Sequence, residues 1–169
     1  MEITSATRAD FDFIYSELVK AFILDERRDY EDALRLFNEG KYEILLFSLN
    51  GEDVGFITVW RLSNSIFFEH FLIYEKHRNN GYGAIALREL KKRFERIVLE
   101  AEPPISKIAE RRLNFYKRNG FIENEKDYLQ PSYRKGGSSV PLVLMSFPEK
   151  LFDFESTVSE IYGKVYFSE

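Results

Sequence analysis

Between Phe67 and Phe94 (FFEHFLIYEKHRNNGYGAIALRELKKRF) the chain changes periodicity once, and that change restricts the fold more than any other stretch. An aromatic and β-branched run, Phe67 to Tyr74, gives way to a polar segment ending in Gly81-Tyr82-Gly83. After it, Ala84, Leu87, Leu90 and Phe94 recur every three or four residues. The first pattern is that of a strand and the second that of a helix with one buried stripe. Arg88, Glu89, Lys91, Lys92 and Arg93 fall largely on the other faces. The helix starts at two glycines and has no acidic side chain in its first turn, so its orphan N–H groups face a ligand. The backbone approaches closely there and the helix dipole favours negative charge. The stretch predicts an anion site, most simply for a phosphate.

Two common phosphate motifs do not fit. Gly83-Ala84-Ile85 lacks the lysine and hydroxyl of a P-loop, and Ala86 stands where a dinucleotide fingerprint needs its third glycine. Instead, Arg78-Asn79-Asn80-Gly81-Tyr82-Gly83-Ala84 resembles the Arg/Gln-x-x-Gly-x-Gly/Ala signature of the GNAT acyltransferases, whose loop holds the pyrophosphate of acetyl-CoA. Leu113 to Phe121 resembles the second signature of that family, a helix ending in Phe-Tyr-x-x-x-Gly-Phe, with Gly120 as the residue that ends the helix. The two motifs stand in the family's order and span residues 67–121; weaker agreement extends over most of the chain. The resemblance implies an α/β fold with a mixed, mostly antiparallel sheet, a splayed parallel strand pair at its centre, and flanking helices.

The remaining elements read in the same sense. Residues 2–8 predict a short first strand and Asp10 a cap for the helix that follows. Phe11, Ile14, Leu18 and Phe22, then Ala33, Leu34 and Phe37, predict two helices separated by a charged break. In the resembled family this region borders the acceptor, so Tyr15, Phe22, Tyr30 and Phe37 are substrate candidates, with core packing the favoured role. Asn50-Gly51 between Glu43–Leu49 and Val54–Leu62 predicts a hairpin. A third strand, Ile66 to Tyr74, continues it, and Ile97 to Ala101, reached through a helix, lies parallel to that strand. Asp127 to Gln130 pairs with Val140 to Phe147 across a turn-rich loop carrying Tyr133, Arg134 and Lys135, mobile by composition. From Glu149 on, Leu151, Phe154, Val158, Ile161 and Val165 predict an amphipathic helix on the body or on a partner subunit. Residues 1–169 form one acetyltransferase domain in this reading, with 149–169 its helical tail.

Composition narrows the chemistry. With no cysteine among 169 residues, the chain holds neither a thiol nucleophile nor a thiolate metal site. His70 and His77 are the only histidines and lack metal-ligand spacing, so no metal is expected. His70 reads as packing on the face opposite Glu69, and His77 as a neighbour of the phosphates. A formal charge of −4, with basic and acidic residues interleaved, provides no field for nucleic acid. Neither a signal peptide nor a membrane-spanning run stands out, and the expectation is a cytoplasmic protein, monomer or homodimer.

The resemblance then implies the reaction: acetyl transfer from acetyl-CoA, the cosubstrate, to a primary amine of a small molecule or peptide by direct attack. An ammonium must lose a proton before it attacks, and the leaving thiolate must gain one. Candidate bases are Glu69, Glu100 and Glu102, because carboxylates on central strands are costly unless paired or used. Alternation puts Glu69 with Phe67, Phe71 and Ile73, and Glu100 with Glu102. Leu99-Glu100-Ala101 resembles the Leu-Glu-Val segment where ribosomal-protein N-terminal acetyltransferases of the family carry a base, which ranks Glu100 first and Glu69 next. The competing role is an ion pair with Arg111, Arg112 or another cation. Tyr116 matches the family tyrosine that protonates the sulfur. Ala109 departs from the asparagine the family often has seven residues before that tyrosine, and Pro103-Pro104 lengthens the preceding connection. Cofactor contacts are expected from Arg78, Asn79, Asn80, Gly81, Tyr82, Gly83, Ala84 and Tyr116, and from the backbone of Phe71, Leu72 and Ile73. The acidic cleft points to a cationic acceptor. The alternatives are a non-catalytic acetyl-CoA sensor, or an unrelated fold whose loop holds another nucleotide.

Overall fold

The structure, a computed structural model, describes residues 1–134 and 136–167. Lys135 and the last two residues of the tail lie outside the described residues. In chain order the elements are β1 (Glu2–Ser5), α1 (Arg8–Ala21), α2 (Tyr30–Asn38), β2 (Glu43–Leu49), β3 (Glu52–Arg61), β4 (Ile66–Ile73), α3 (Tyr82–Arg93), β5 (Ile97–Ala101), α4 (Lys107–Arg118), β6 (Ile122–Glu123), β7 (Tyr128–Gln130), β8 (Val140–Phe147) and α5 (Phe154–Ile161), with a π-helical turn at Tyr162–Tyr166. The strands form one sheet in the order β1-β2-β3-β4-β5-β8-β6, with β7 also on β8. Every described pairing is antiparallel except β4 with β5. The predicted mixed sheet with a parallel pair at its middle is what forms.

Local sequence explains the joints. Asn50 and Gly51 have φ of 52° and 82°, the left-handed pair that a tight hairpin between β2 and β3 requires. Helix α1 corrects the expected cap. Thr7 is the N-cap, and Asp10 sits three residues later, its carboxylate accepting from the Thr7 N–H and hydroxyl, both at 2.7 Å. Ser106 caps α4 by accepting from the Ala109 N–H at 3.1 Å.

The sheet carries a core on each face. Helices α1 and α2 and the C-terminal tail cover one, burying Phe11, Leu36, Trp60, Phe67, Ile161 and Val165 among others. Helices α3 and α4 cover the other, over Leu45, Ile57, Phe68, Leu87, Leu90 and Leu113. Strand β3 is therefore buried from Val54 through Trp60, which is why it reads as a continuous apolar run. Tyr15, Phe22, Tyr30 and Phe37 pack against the first core. The tail docks on its own sheet.

Candidate active site

Alternation along β4 breaks at Glu69-His70. Val59 pairs with Phe68 and Ile57 with Phe71, so Thr58 alone stands opposite two residues, a β-bulge. Glu69 and His70 consequently point to the same face, with Phe67. Phe71 and Ile73 lie on the other face, in the α3–α4 core. Two expectations are corrected: Glu69 does not share a face with Phe71 and Ile73, and His70 does not oppose Glu69. Thr58 fastens the bulge, its hydroxyl accepting from the His70 N–H at 2.9 Å and lying 3.3 Å from both Glu69 Oε2 and His70 Nδ1. His70 Nε2 is 2.9 Å from the Glu26 carbonyl, and its ring meets Phe22 edge-on.

The bulge coincides with a parting of the parallel strands. Strands β4 and β5 pair only from Ile66–Ile97 to Phe68–Leu99, so β4 beyond Phe68 has no partner on that side. The Glu69 side chain is 2% exposed although the residue as a whole is half-buried, so the exposed part of Glu69 is its main chain. The Tyr74 N–H donates to Val54 at 2.9 Å, which by antiparallel alternation turns the peptide groups of Leu72 toward β3 and those of Phe71 and Ile73 into the gap. Of the three residues expected to offer backbone, Leu72 is the one whose groups are used by the sheet. The Ile73 carbonyl already accepts from Arg78 Nε at 3.1 Å.

A buried cluster of polar side chains, the chamber, lies beside the gap on the α1–α2 face. Glu69 pairs with the buried guanidinium of Arg28, and accepts from Trp60 Nε1 at 2.8 Å and the Tyr133 hydroxyl at 2.9 Å. Arg28 lies between the Trp60 and Tyr133 rings, 4.9 and 4.7 Å from their centroids, and also donates to the Val165 carbonyl. Burial pushes the Glu69 carboxyl up, but Arg28, His70 and the Trp60 hydrogen bond outweigh burial and hold it well below the usual carboxylate range. Arg28 is in turn held protonated by Glu69 against the effect of its own burial. Glu100 shares the chamber under different conditions. Burial pushes it up to about 7, against hydrogen bonds from the Tyr128 and Tyr166 hydroxyls, and the charge of Glu69 adds to the rise. The expected cationic partners of Glu100 are thus replaced by two phenols. Glu102 lies past the end of β5 and pairs with Arg112 at 2.7 Å, so it does not join Glu100. Of the three candidate carboxylates, Glu69 pairs with Arg28 and Glu102 with Arg112, which leaves Glu100 without a cationic partner among the described residues.

Across the sheet, α4 carries Tyr116 into the second core between Phe115 and Phe121, with ring centroids 5.4 and 5.8 Å away. Burial pushes its phenol up to about 12, with Arg112 opposing slightly. At the end of the gap, Asn79 and Gly81 adopt φ of 64° and 75°, and α3 starts at Tyr82. Among the described residues no acceptor meets the N–H groups of residues 79–83, whereas Ala84 and Ile85 donate to the Gly81 carbonyl at 3.1 and 3.2 Å. Alternating left-handed residues before a helix start make a concave row of N–H groups suited to an anion. The Asn80 side chain braces the loop on the carbonyls of His77 and Arg78, both at 3.2 Å. The two glycines differ in purpose. A Cβ at Gly81 meets nothing, so the backbone angle demands that glycine, whereas a Cβ at Gly83 lies 3.2 Å from Phe115. His77 turns to Glu52, with Nε2 3.3 Å from its carboxylate.

Sequence reading missed Arg28, Tyr128, Tyr133 and Tyr166, which come from a loop, a short strand, the turn-rich segment and the tail. No local motif marks them; only the count of buried charges on β4 and β5 required partners. In the turn-rich segment, Arg134 donates to the Leu24 carbonyl and to Asp29 at 2.7 Å and Tyr133 reaches Glu69, while Lys135 lies outside the described residues.

A mixed sheet parted between two parallel strands, with an anion-suited helix start at the opening, defines an α/β fold of the acetyltransferase class. Residues 40–123 match the acetyltransferase (GNAT) domain. A protein from Bacteroides thetaiotaomicron described as an acetyltransferase of the GNAT family shares 31% identity over 100% of both chains, with a TM-score of 0.94. The chain belongs to the GNAT family. The fold also matches a ribosomal-protein-alanine N-acetyltransferase from Brucella melitensis at 19% identity (86% and 98% of the chains, TM-score 0.62). An aminoglycoside 6′-N-acetyltransferase complexed with coenzyme A matches at 15% identity (90% and 100%, TM-score 0.60). Comparison with curated proteins returns no match.

Proposed function

We propose that residues 1–169 act as one acetyltransferase domain that moves the acetyl group of acetyl-CoA to a primary amine of a small molecule or peptide in a ternary complex. The observation that carries this reading is the gap between β4 and β5, with Glu100 on one face of the sheet and Tyr116 packed on the other. The free N–H groups of residues 79–83 take the diphosphate, and Arg78 and Ala84 border it. The open peptide groups of Phe71 and the Ile73 N–H take the pantetheine arm as an added strand would, and carbonyl polarisation comes from the same exposed backbone. Glu100, raised to about 7, accepts the proton of the amine as it attacks, since a base works best near the working pH. Glu69, held ionised by Arg28, is a poor proton acceptor and stabilises the chamber's charge instead. Tyr116 stays a phenol at working pH and gives its proton to the sulfur as the thiolate leaves.

Thiol release from acetyl-CoA across a panel of amines tests the reading, run beside calorimetry with CoA. Tyr116→Phe is expected to bind CoA as the parent does and to slow turnover roughly 10²-fold, the scale of a lost general acid. Tight CoA binding without release for any amine would favour the sensor, and an unchanged Tyr116→Phe rate would remove Tyr116 from the proton path.

A further inference from the structure

The π-helical turn Tyr162–Tyr166 lies on the chamber face of the sheet, closed by the Phe167 N–H donating to the Tyr162 carbonyl at 2.9 Å. Such a turn carries one more residue than an α-helical one and occurs often at functional sites. Here it buries Val165, whose carbonyl accepts from Arg28, and brings the Tyr166 hydroxyl 2.6 Å from Glu100 Oε2. Tyr128, from β7, donates to the other oxygen of Glu100. One phenol on each oxygen fixes the plane of a carboxylate whose terminal torsion is otherwise broad, and leaves each oxygen a second lone pair.

We propose that Tyr166 is a positioning residue for the transfer reaction: the C-terminal turn holds the Glu100 carboxylate in the orientation that takes the acceptor's proton. The inference rests on Glu100 being the base. The other groups facing Glu100 act on it only through charge: Glu69 and His70 on β4, Tyr133 on the loop after β7 and Tyr162 on the turn, with Arg28 beyond Glu69. Tyr128 and Tyr166 alone donate hydrogen bonds to it among the described residues.

Tyr166→Phe keeps the ring against Tyr133, 5.0 Å between centroids, and removes only the hydroxyl. CoA binding is expected to be unchanged and kcat/KM to fall roughly tenfold. The acid limb of the kcat/KM profile is expected to move up by roughly one pH unit, because the lost donor favoured the carboxylate. The carboxyl 13C titration of Glu100, which needs no substrate, should move the same way, and Tyr128→Phe should do likewise. An unmoved limb together with an unmoved Glu100 titration overturns the inference even if the rate falls. Glu100→Gln separates the two layers. An inactive Glu100→Gln enzyme with an unmoved Tyr166→Phe limits the failure to the tail, whereas a Glu100→Gln enzyme with the parent's rate and profile overturns the base assignment and this inference with it.

Discussion

Glu69 and Glu100 are the same residue type on neighbouring strands of one chamber, yet their protons behave in opposite ways. Arg28 supplies Glu69 with a full charge, so the stability from that pair is present above the usual carboxylate range and lost only in strong acid. Glu100 receives phenols, and burial wins, raising it to about 7. Between the ordinary carboxylate range and that value the folded chain keeps a proton that the unfolded chain releases. The associated stability is present at acid pH and lost as pH rises through about 7. Glu100→Gln has no such proton to lose. Its stability relative to the parent should therefore rise between pH 5 and pH 8, by on the order of 2 kcal/mol, in urea melts at the two values; a flat difference would contradict the shift. Gly83 offers a second case. A methyl there meets Phe115 at 3.2 Å, so Gly83→Ala should cost roughly 1–2 kcal/mol through packing. Adding Phe115→Leu should recover part of that cost in a double-mutant cycle, and strict additivity would show that Phe115 is not the obstacle.

Among the elements, the tail departs most from its apparent role. Its apolar spacing describes a surface helix, and Phe154, Ile161 and Val165 do enter the core beneath it. The same turn then reaches Arg28 and Glu100, so one segment both seals the α1–α2 face and furnishes the chamber. Ending the chain after Glu160 removes Ile161 and Val165, 0% and 1% exposed, and should cost roughly 3–5 kcal/mol at the usual value of a buried aliphatic side chain. A truncated chain with the parent's urea midpoint would show the tail to be dispensable. The bulge in β4 is the complementary case: Thr58 opposite Glu69 and His70 turns two consecutive side chains to one face at the point where the strand parts from β5.

For the whole molecule, the parted sheet leaves strand edge and helix N–H groups at one end without partners among the described residues, a state that a bound CoA would relieve. Calorimetry supplies Kd, and at a hundred times that concentration CoA should add about 2.7 kcal/mol, a rise in melting temperature of roughly 5–10 °C for a chain of this size. ATP and NAD at equal concentration should give no comparable rise; an equal response to all three would point to the anion alone. The order of elements, the hairpin at Asn50-Gly51, the crossover through α3 and the glycine loop were all legible in the amino acids. Each depends on backbone preference and periodicity within a few residues of itself. Glu100 and Tyr116 could be named as candidates in the same way, because a charge on an apolar strand and a tyrosine in a family motif are visible one residue at a time. The faces of Glu69 and His70 were not legible, since a single extra residue in a bulge reverses alternation without changing composition. Nor were Arg28, Tyr128, Tyr133 and Tyr166. They come from positions as far apart as Arg28 and Tyr166, and only folding converts that separation into contact, where the low dielectric of the chamber makes a charge or a phenol decide which carboxylate keeps its proton.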